Sequence, residues 1–188
     1  MRTLVLSEQL EPGQLDVLRE SVEADLKSKA HLARPQVGAG KWVCRQLLPW
    51  TDLGCVSAGQ AGDLTDYWGT AVLVASTALV YINHVLADNE FVGIFGINIR
   101  DVAPCAVKIK FQTGAGASTM ANWNLEQLFG GRIPEAVTPE YIYYAGGATV
   151  YVEVIPDAVG KAVGADAVAD HIILLGLMCK PAGEVVSF

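Results

Sequence analysis

Short runs of β-branched and aromatic residues, separated by Gly, Pro, Asn and Asp, fill the sequence from Trp42 onward. Such runs are typical of β-strands joined by turns. We expect strands at residues 42–48, 71–76, 79–86, 91–99, 106–112, 140–144, 149–155 and 171–179. About eight strands is the usual number for a two-sheet antiparallel sandwich or a jelly roll. The sequence therefore predicts a mainly β protein, an antiparallel β-sandwich of the jelly-roll type.

The side-chain pattern within these runs indicates how their faces are covered. Residues 107–111 and 150–154 alternate apolar with polar side chains, as a strand with one buried face requires. Residues 91–97 and 172–178 are apolar on both faces and contain glycines that favour bulges or close backbone approach. Strands of the second kind need cover on both sides, either from the same chain or from a neighbouring molecule.

One segment before the strands has helical periodicity. Across residues 11–33, Leu15, Leu18, Val22 and Leu26 recur at three- and four-residue steps, and the other faces are charged. Pro35 and the glycines that follow end this helix. We predict an N-terminal helical arm at residues 1–35 and a β-sandwich domain at 36–188, with the apolar stripe lying outside the sandwich.

Composition narrows the classes of partner. Hydrophobic residues make up 52% of the chain and charged residues 18%, and this apolar excess favours a subunit interface over a larger core. The longest apolar stretch, at 71–82, is too short to span a membrane, and we expect no signal peptide. A net charge of −7 without a basic run makes nucleic acid an improbable partner.

The residues that could carry chemistry are scattered. The four cysteines form no CxxC pair, so we interpret them as free thiols and expect no zinc site. We interpret residues 114–119 as a glycine-rich turn rather than a phosphate loop, because they lack the Lys and the third Gly of the known fingerprints. His84 beside Asp88 and His171 beside Asp170 are weak acid–base candidates, since neighbouring strand residues point to opposite faces. Asp52, Asp63 and Asp66 match no calcium loop, and a polar surface loop over 51–69 explains them with fewer assumptions.

Aromatic residues provide the main alternative to a structural role. A platform for sugars or other small ligands could be built from Trp42, Trp50, Trp68, Trp123, Tyr141, Tyr143, Tyr144 and Tyr151. Core packing and subunit contacts are the commoner uses of such side chains. A carbohydrate-binding or small-ligand-binding β-sandwich therefore stays open as the second hypothesis.

Several of the strand segments resemble a known class of proteins. Residues 91–98, 107–111, 121–125, 140–144 and 173–176 are similar to strands of small β-sandwich virion proteins of tailed bacteriophages, the cement or decoration proteins of the capsid shell. The resemblance covers roughly the C-terminal half. It implies a jelly-roll-like body, an N-terminal arm or helix that reaches neighbouring subunits, and dimers or trimers that clamp the major capsid protein. The long N-terminal helix and the 51–69 loop depart from the smallest members of that class.

On the strength of this resemblance we predict a non-enzymatic virion protein that stabilises the phage capsid shell and is assembled into it in the host cytoplasm. We expect no catalytic residue, metal or other cofactor, and no nucleic-acid or membrane partner. The predicted partners are the major capsid protein and further copies of the chain itself. The candidate interaction residues are Leu15, Leu18, Val22, Leu26, Trp42 and Trp50.

Overall fold

The computed structural model describes residues 4–55, 69–73, 77–99, 105–126, 128, 135–156 and 168–183, without side chains at 69–73 and 168–170. Within these residues there are two α-helices, α1 (Gln14–Ala33) and α2 (Pro49–Leu53), and ten strands. The strands are β1 (Val5–Leu6), β2 (Trp42–Gln46), β3 (Gly69–Leu73), β4 (Leu79–Val85), β5 (Phe91–Ile99), β6 (Ala106–Gln112), β7 (Thr119–Asn124), β8 (Glu135–Tyr144), β9 (Thr149–Pro156) and β10 (Val168–Pro181). Short 3-10 turns lie at Ser7–Gln9, Pro35–Val37 and Ala39–Lys41.

Strands β3 to β10 form a jelly roll. One sheet has the order β3, β10, β5, β8 and the other has the order β4, β9, β6, β7, with antiparallel pairing throughout. This interleaving of consecutive strands between two sheets is the double Greek key of a jelly roll. Strand β1 extends the first sheet beside β8, while β2 pairs with the C-terminal half of β10. The predicted antiparallel sandwich is confirmed, and we call these the six-stranded and four-stranded sheets.

The space between the two sheets is filled by side chains of both. Trp123 and Phe111 are fully buried there, with ring centroids 4.6 Å apart in an edge-to-face arrangement. Two buried tyrosines donate hydrogen bonds across this core, Tyr81 to the carbonyl of Ile172 and Tyr144 to the carbonyl of Gln112. Each large apolar side chain buried in this way stabilises the fold by about 1.5–3 kcal/mol.

A second, smaller core lies on the outer face of the six-stranded sheet, beneath α1. The helix buries Val22, Leu26 and Ala30, and the sheet contributes residues such as Phe91 and Phe95. Close packing is possible because Gly93 has no side chain: a methyl group there would come within 3.0 Å of Leu26 Cδ1. The apolar outer face of β5 is therefore covered by the same chain.

The observed elements differ from the predicted ones at specific points. Strands β5 and β6 have the predicted bounds, whereas α1 begins at Gln14 because Gly13 has a left-handed backbone with φ of 88°. Strand β8 begins at Glu135, ahead of the predicted residue 140, although it contains Pro139. That proline is accommodated because the β5–β8 ladder shifts register there. Strand β7 lies outside the eight strand segments that the sequence predicts.

The structure also joins the predicted arm to the predicted body. Strand β1, inside the 1–35 segment, pairs with β8, and α1 shares a core with β2, β5 and β10. The segments on the two sides of the boundary expected near residue 35 thus pack against each other. The arm and the body pack together because Val22 and Leu26 of the apolar stripe contact the six-stranded sheet of the same chain.

Candidate interaction surfaces

The predicted helix stripe is divided between buried and exposed positions. Val22 and Leu26 have exposed fractions of 2% and 0%, because they pack on the six-stranded sheet. Leu18 is half-buried, and Leu15 is 37% exposed at the start of the helix. Val22 and Leu26 therefore serve intramolecular packing in this chain, and of the four only Leu15 and Leu18 present surface to a partner.

The two predicted tryptophans lie in different environments. Trp42 begins β2, is 3% exposed, and meets Phe91 edge to face at a centroid separation of 5.4 Å. Trp50 lies on α2, is half-buried, and packs against the core between the sheets. Trp42 is thus part of the core beneath α1, whereas Trp50 keeps a partly accessible ring.

A cavity of about 160 Å³ lies beside the N-terminal turn of α1. Its floor lies on the six-stranded sheet and includes Phe95, Leu175 and Leu177. Asp16 and Arg19 of the helix stand at its rim. The arrangement is a small apolar cleft with charges of both signs at the opening.

Polar contacts fasten the middle of α1 to β8. Lys29 Nζ donates a hydrogen bond to the Tyr141 hydroxyl at 2.7 Å, forms an ion pair with Asp25 at 2.8 Å, and lies 4.7 Å from the Tyr143 ring centroid. Hydrogen bonds from Lys29 and then Tyr141 lower the pKa of Asp25. Burial, followed by the hydrogen bond to Asp25, raises the pKa of Tyr141. These hydrogen bonds therefore hold α1 against β8.

The weak catalytic and metal candidates have other partners in the structure. Asp88 forms an ion pair with Arg34 at 2.8 Å, so its carboxylate is held by the end of α1 rather than by His84. Asp52 is nearly buried on α2, where it binds the Arg45 guanidinium and accepts a hydrogen bond from the Leu48 amide at 2.8 Å. It therefore stabilises the N-terminus of a helix within the segment that we expected to be a surface loop.

The remaining candidates are placed as follows. His84 and His171 are half-buried on β4 and β10, while Asp63, Asp66 and Trp68 lie outside the described residues. Residues 114–119 join β6 to β7, with positive φ at Gly114 and Gly116, which confirms the predicted turn. Among the residues that the structure describes, no group of three or more His, Cys, Asp or Glu residues is placed so that it could hold a metal ion. A search of the same residues finds no helix with the length and apolarity of a membrane span.

An edge strand that the sequence analysis did not single out presents apolar side chains. In the described part of the chain, β4 pairs with β9 on one side and with no strand on the other. Val80 and Val85 of this strand are 37% and 64% exposed. Its sequence, LVYINHV, has no Lys, Arg, Asp, Glu or Pro, and that absence is the signal that could have marked it.

Comparisons with known proteins leave the family open. No family matches the chain, and no curated protein matches it. One solved chain that matches comes from Bacillus endospore appendages, described as "a novel family of disulfide-linked pili". It is 10% identical, with 61% of this chain and 86% of that chain covered at a TM-score of 0.32, which is too low to support an argument about fold or function. What is established for this protein is therefore its architecture: a jelly roll with an N-terminal helix packed on the larger sheet.

Proposed function

We propose that this chain is a non-enzymatic structural protein of a virus particle, of the type that cements the capsid shell of tailed phages. It acts by packing against the shell and against other copies of itself. The jelly-roll topology is compatible with this role, since capsid proteins are among its common users. Lectins and cupins share the topology, so the fold alone does not choose between a structural and a ligand-binding role.

The observation that carries the proposal is the uncharged edge strand β4. Edge strands of soluble proteins usually carry Lys or Pro, because their free N–H and C=O groups can otherwise pair with another chain. Strand β4 has neither residue, and its exposed Val80 and Val85 add apolar surface along the edge that no other described strand pairs with. A register shift between Val80 and Ile82 bends the start of the strand and leaves Ile82 to Val85 in regular pairing with β9. This edge suits protein–protein packing.

The outer face of the four-stranded sheet continues the same surface with charged residues. Lys110 of β6 and Glu153 of β9 form an ion pair at 3.1 Å, and Lys108 is exposed one position along the same face. Charges that surround an apolar edge are typical of the rim of a protein interface, where they select the orientation of the partner. We therefore place the contact surface at β4 and the adjoining part of this face.

The aromatic side chains favour this role over sugar binding. Sugar-binding platforms need rings that are open to solvent, whereas Trp42, Trp123, Tyr144 and Tyr151 are at most 7% exposed. These rings lie inside the two cores or beneath neighbouring side chains. The buried rings account for half of the predicted platform, and Trp68 is not among the described residues.

Binding to capsid shells and self-association test the proposal. Shells assembled from the major capsid protein of the same genome are mixed with the chain, and co-sedimentation is measured beside light scattering of the free chain. We expect wild type to sediment with shells and Val80→Lys/Val85→Lys to lose at least tenfold in affinity, because two buried lysines would oppose the contact. Thr119→Lys, on the exposed edge strand β7 of the same sheet, is the matched control and should bind like wild type.

Three results would refute the proposal. The first is a wild-type chain that stays monomeric at micromolar concentration and does not sediment with shells. The second is equal binding by the double variant and wild type. The third is a glycan array that captures the chain with a sugar-dependent rise in melting temperature, which would establish the ligand-binding alternative instead.

A further inference from the structure

Two of the cysteines lie directly opposite each other on neighbouring strands. Cys44 of β2 is the register partner of Cys179 of β10, in an antiparallel pairing without a register shift. Both are free thiols in the structure. They are 135 positions apart in the sequence, so their encounter depends on the closure of the sheet.

The hydrogen bonds at the two ends of the β2–β10 ladder show which kind of antiparallel pair Cys44 and Cys179 form. The Leu47 amide donates to the Gly176 carbonyl at 2.9 Å, and the Ala182 amide donates to the Lys41 carbonyl at 2.7 Å. Hydrogen-bonded and non-hydrogen-bonded pairs alternate along an antiparallel ladder. Cys44 and Cys179 are three steps from either end, which makes them a non-hydrogen-bonded pair.

Non-hydrogen-bonded pairs bring side chains closest together. Their Cα atoms are about 4.5 Å apart, against about 5.5 Å in hydrogen-bonded pairs. Disulfides form at Cα separations of about 4.4–6.8 Å. The backbone of β2 and β10 therefore already has a separation at which a disulfide can close without moving either strand.

The surroundings of the two sulfurs favour reaction at this pair. Both face α1, with Cys179 fully buried and Cys44 half-buried. The hydrogen bond from Cys44, and to a smaller degree the charge of Lys27, lowers the pKa of Cys179. The same hydrogen bond raises the pKa of Cys44, whose thiol also points to the Glu23 carbonyl. One sulfur is thus accessible, and the other is disposed to ionise beside it.

We propose that Cys44 and Cys179 are an oxidation site, which a small-molecule disulfide such as oxidised glutathione converts into a cross-strand disulfide joining β2 to β10. Cys44, the accessible thiol, passes its proton across the shared hydrogen bond to Cys179 and attacks one sulfur of the oxidant, whose other sulfur leaves as a thiolate and takes up that proton. The Cys179 thiolate then attacks the Cys44 sulfur and displaces the second thiolate. Two protein thiols have lost two electrons and two protons, and one oxidant disulfide has become two thiols.

The disulfide would fasten the strand on which α1 rests. In the described residues β2 pairs only with β10, so it is a strand held from one side. Cys44 and Trp42 of this strand pack in the core beneath the helix. A covalent link at the centre of β2 therefore prevents separation of β2 from the sheet and, with it, loss of the surface that α1 covers. The inference does not rest on the proposed function, since the reaction takes place in the isolated chain.

Oxidation of the purified full chain tests the inference. After treatment with oxidised glutathione we expect free thiols to fall from four to two, the mass to fall by about 2 Da, and peptide mapping to join residue 44 to residue 179. The melting temperature should rise by roughly 5–10 °C, because the link closes a very long loop, and dithiothreitol should reverse every change. Cys44→Ala and Cys179→Ala should each abolish the effect.

Cys55→Ala is the matched control, since Cys55 is also buried but has no cysteine register partner. Burial raises the pKa of Cys55 to about 11, so it should stay reduced in wild type, and its variant should oxidise normally at the other pair. Four free thiols after oxidation, a disulfide that joins any other two cysteines, or covalent dimers in place of an internal link would each overturn the inference. Because reversal by dithiothreitol is measured on wild type, the test does not depend on the folding of the variants.

Discussion

The strongest consequence of the structure is that α1 belongs to the folded body, and Leu26→Ala measures this. Leu26 is fully buried between α1 and the six-stranded sheet, with its Cδ1 against the backbone of Gly93. Truncation of a buried leucine costs about 2–5 kcal/mol, from the lost transfer free energy and the cavity that remains. Gly93 has no side chain to fill that cavity, so we expect about 3 kcal/mol.

Urea unfolding followed by tryptophan fluorescence and by circular dichroism gives the required measurement. With a slope of about 2 kcal/mol per molar urea, the loss predicts a midpoint about 1.5 M below that of wild type. Leu32→Ala on the same helix is the control, because Leu32 is 77% exposed and should change the free energy of unfolding by less than about 0.5 kcal/mol. Both probes should report one transition, since helix and sheet share a core.

Two outcomes would refute this reasoning. If Leu26→Ala and Leu32→Ala have the same midpoint, the helix does not contribute its buried face to the stability of the sandwich. If the helical signal is lost well before the tryptophan signal, α1 is an independent arm, as the sequence alone predicted.

Two further predictions concern charged groups. Arg45→Met should lower the free energy of unfolding by about 3 kcal/mol, because the Asp52 carboxylate, which is 2% exposed, loses its ion-pair partner. The control is Lys27→Met, which removes the half-exposed ion pair with Glu23 and should lower the free energy of unfolding by less than about 1 kcal/mol. Equal losses in urea unfolding would contradict this. Burial acts to raise the pKa of Glu90, but the hydrogen bond and charge of Lys180 at 2.6 Å bring it below the usual value. The resulting stability is present above about pH 4.5 and is lost as the pH falls, so Lys180→Met should narrow the difference between urea midpoints at pH 7 and pH 3; an unchanged difference would show that the pair contributes nothing.

The sequence pattern correctly identified strands that are apolar on both faces, but the surface that covers them was only partly predicted. The sequence indicated that residues 91–97 and 172–178 need cover on both faces; residues 91–97 are buried throughout, whereas Ile173 and Leu175 are half-buried. The preferred explanation was a neighbouring subunit, yet Phe91, Phe95 and Leu177 are covered by α1 of the same chain. The self-association that we propose would therefore depend on other surfaces, and we favour the β4 edge.

What the sequence by itself determined is local: strands β5 and β6 to the residue, the turn at 114–119, and the apolar stripe of α1. Strands and helices follow from hydrophobic periods of two and 3.6 residues, and the turn follows from the ability of glycine to adopt positive φ. All three depend only on residues that are close together in the sequence. Only the tertiary structure decided that Val22 and Leu26 face their own sheet, that Asp52 pairs with Arg45, and that Cys44 meets Cys179. Each of those contacts joins segments that are distant in the sequence, and local sequence patterns do not show which distant segments will meet. The order of the strands, and which element covers each face, depend on the free energy of the whole packed structure.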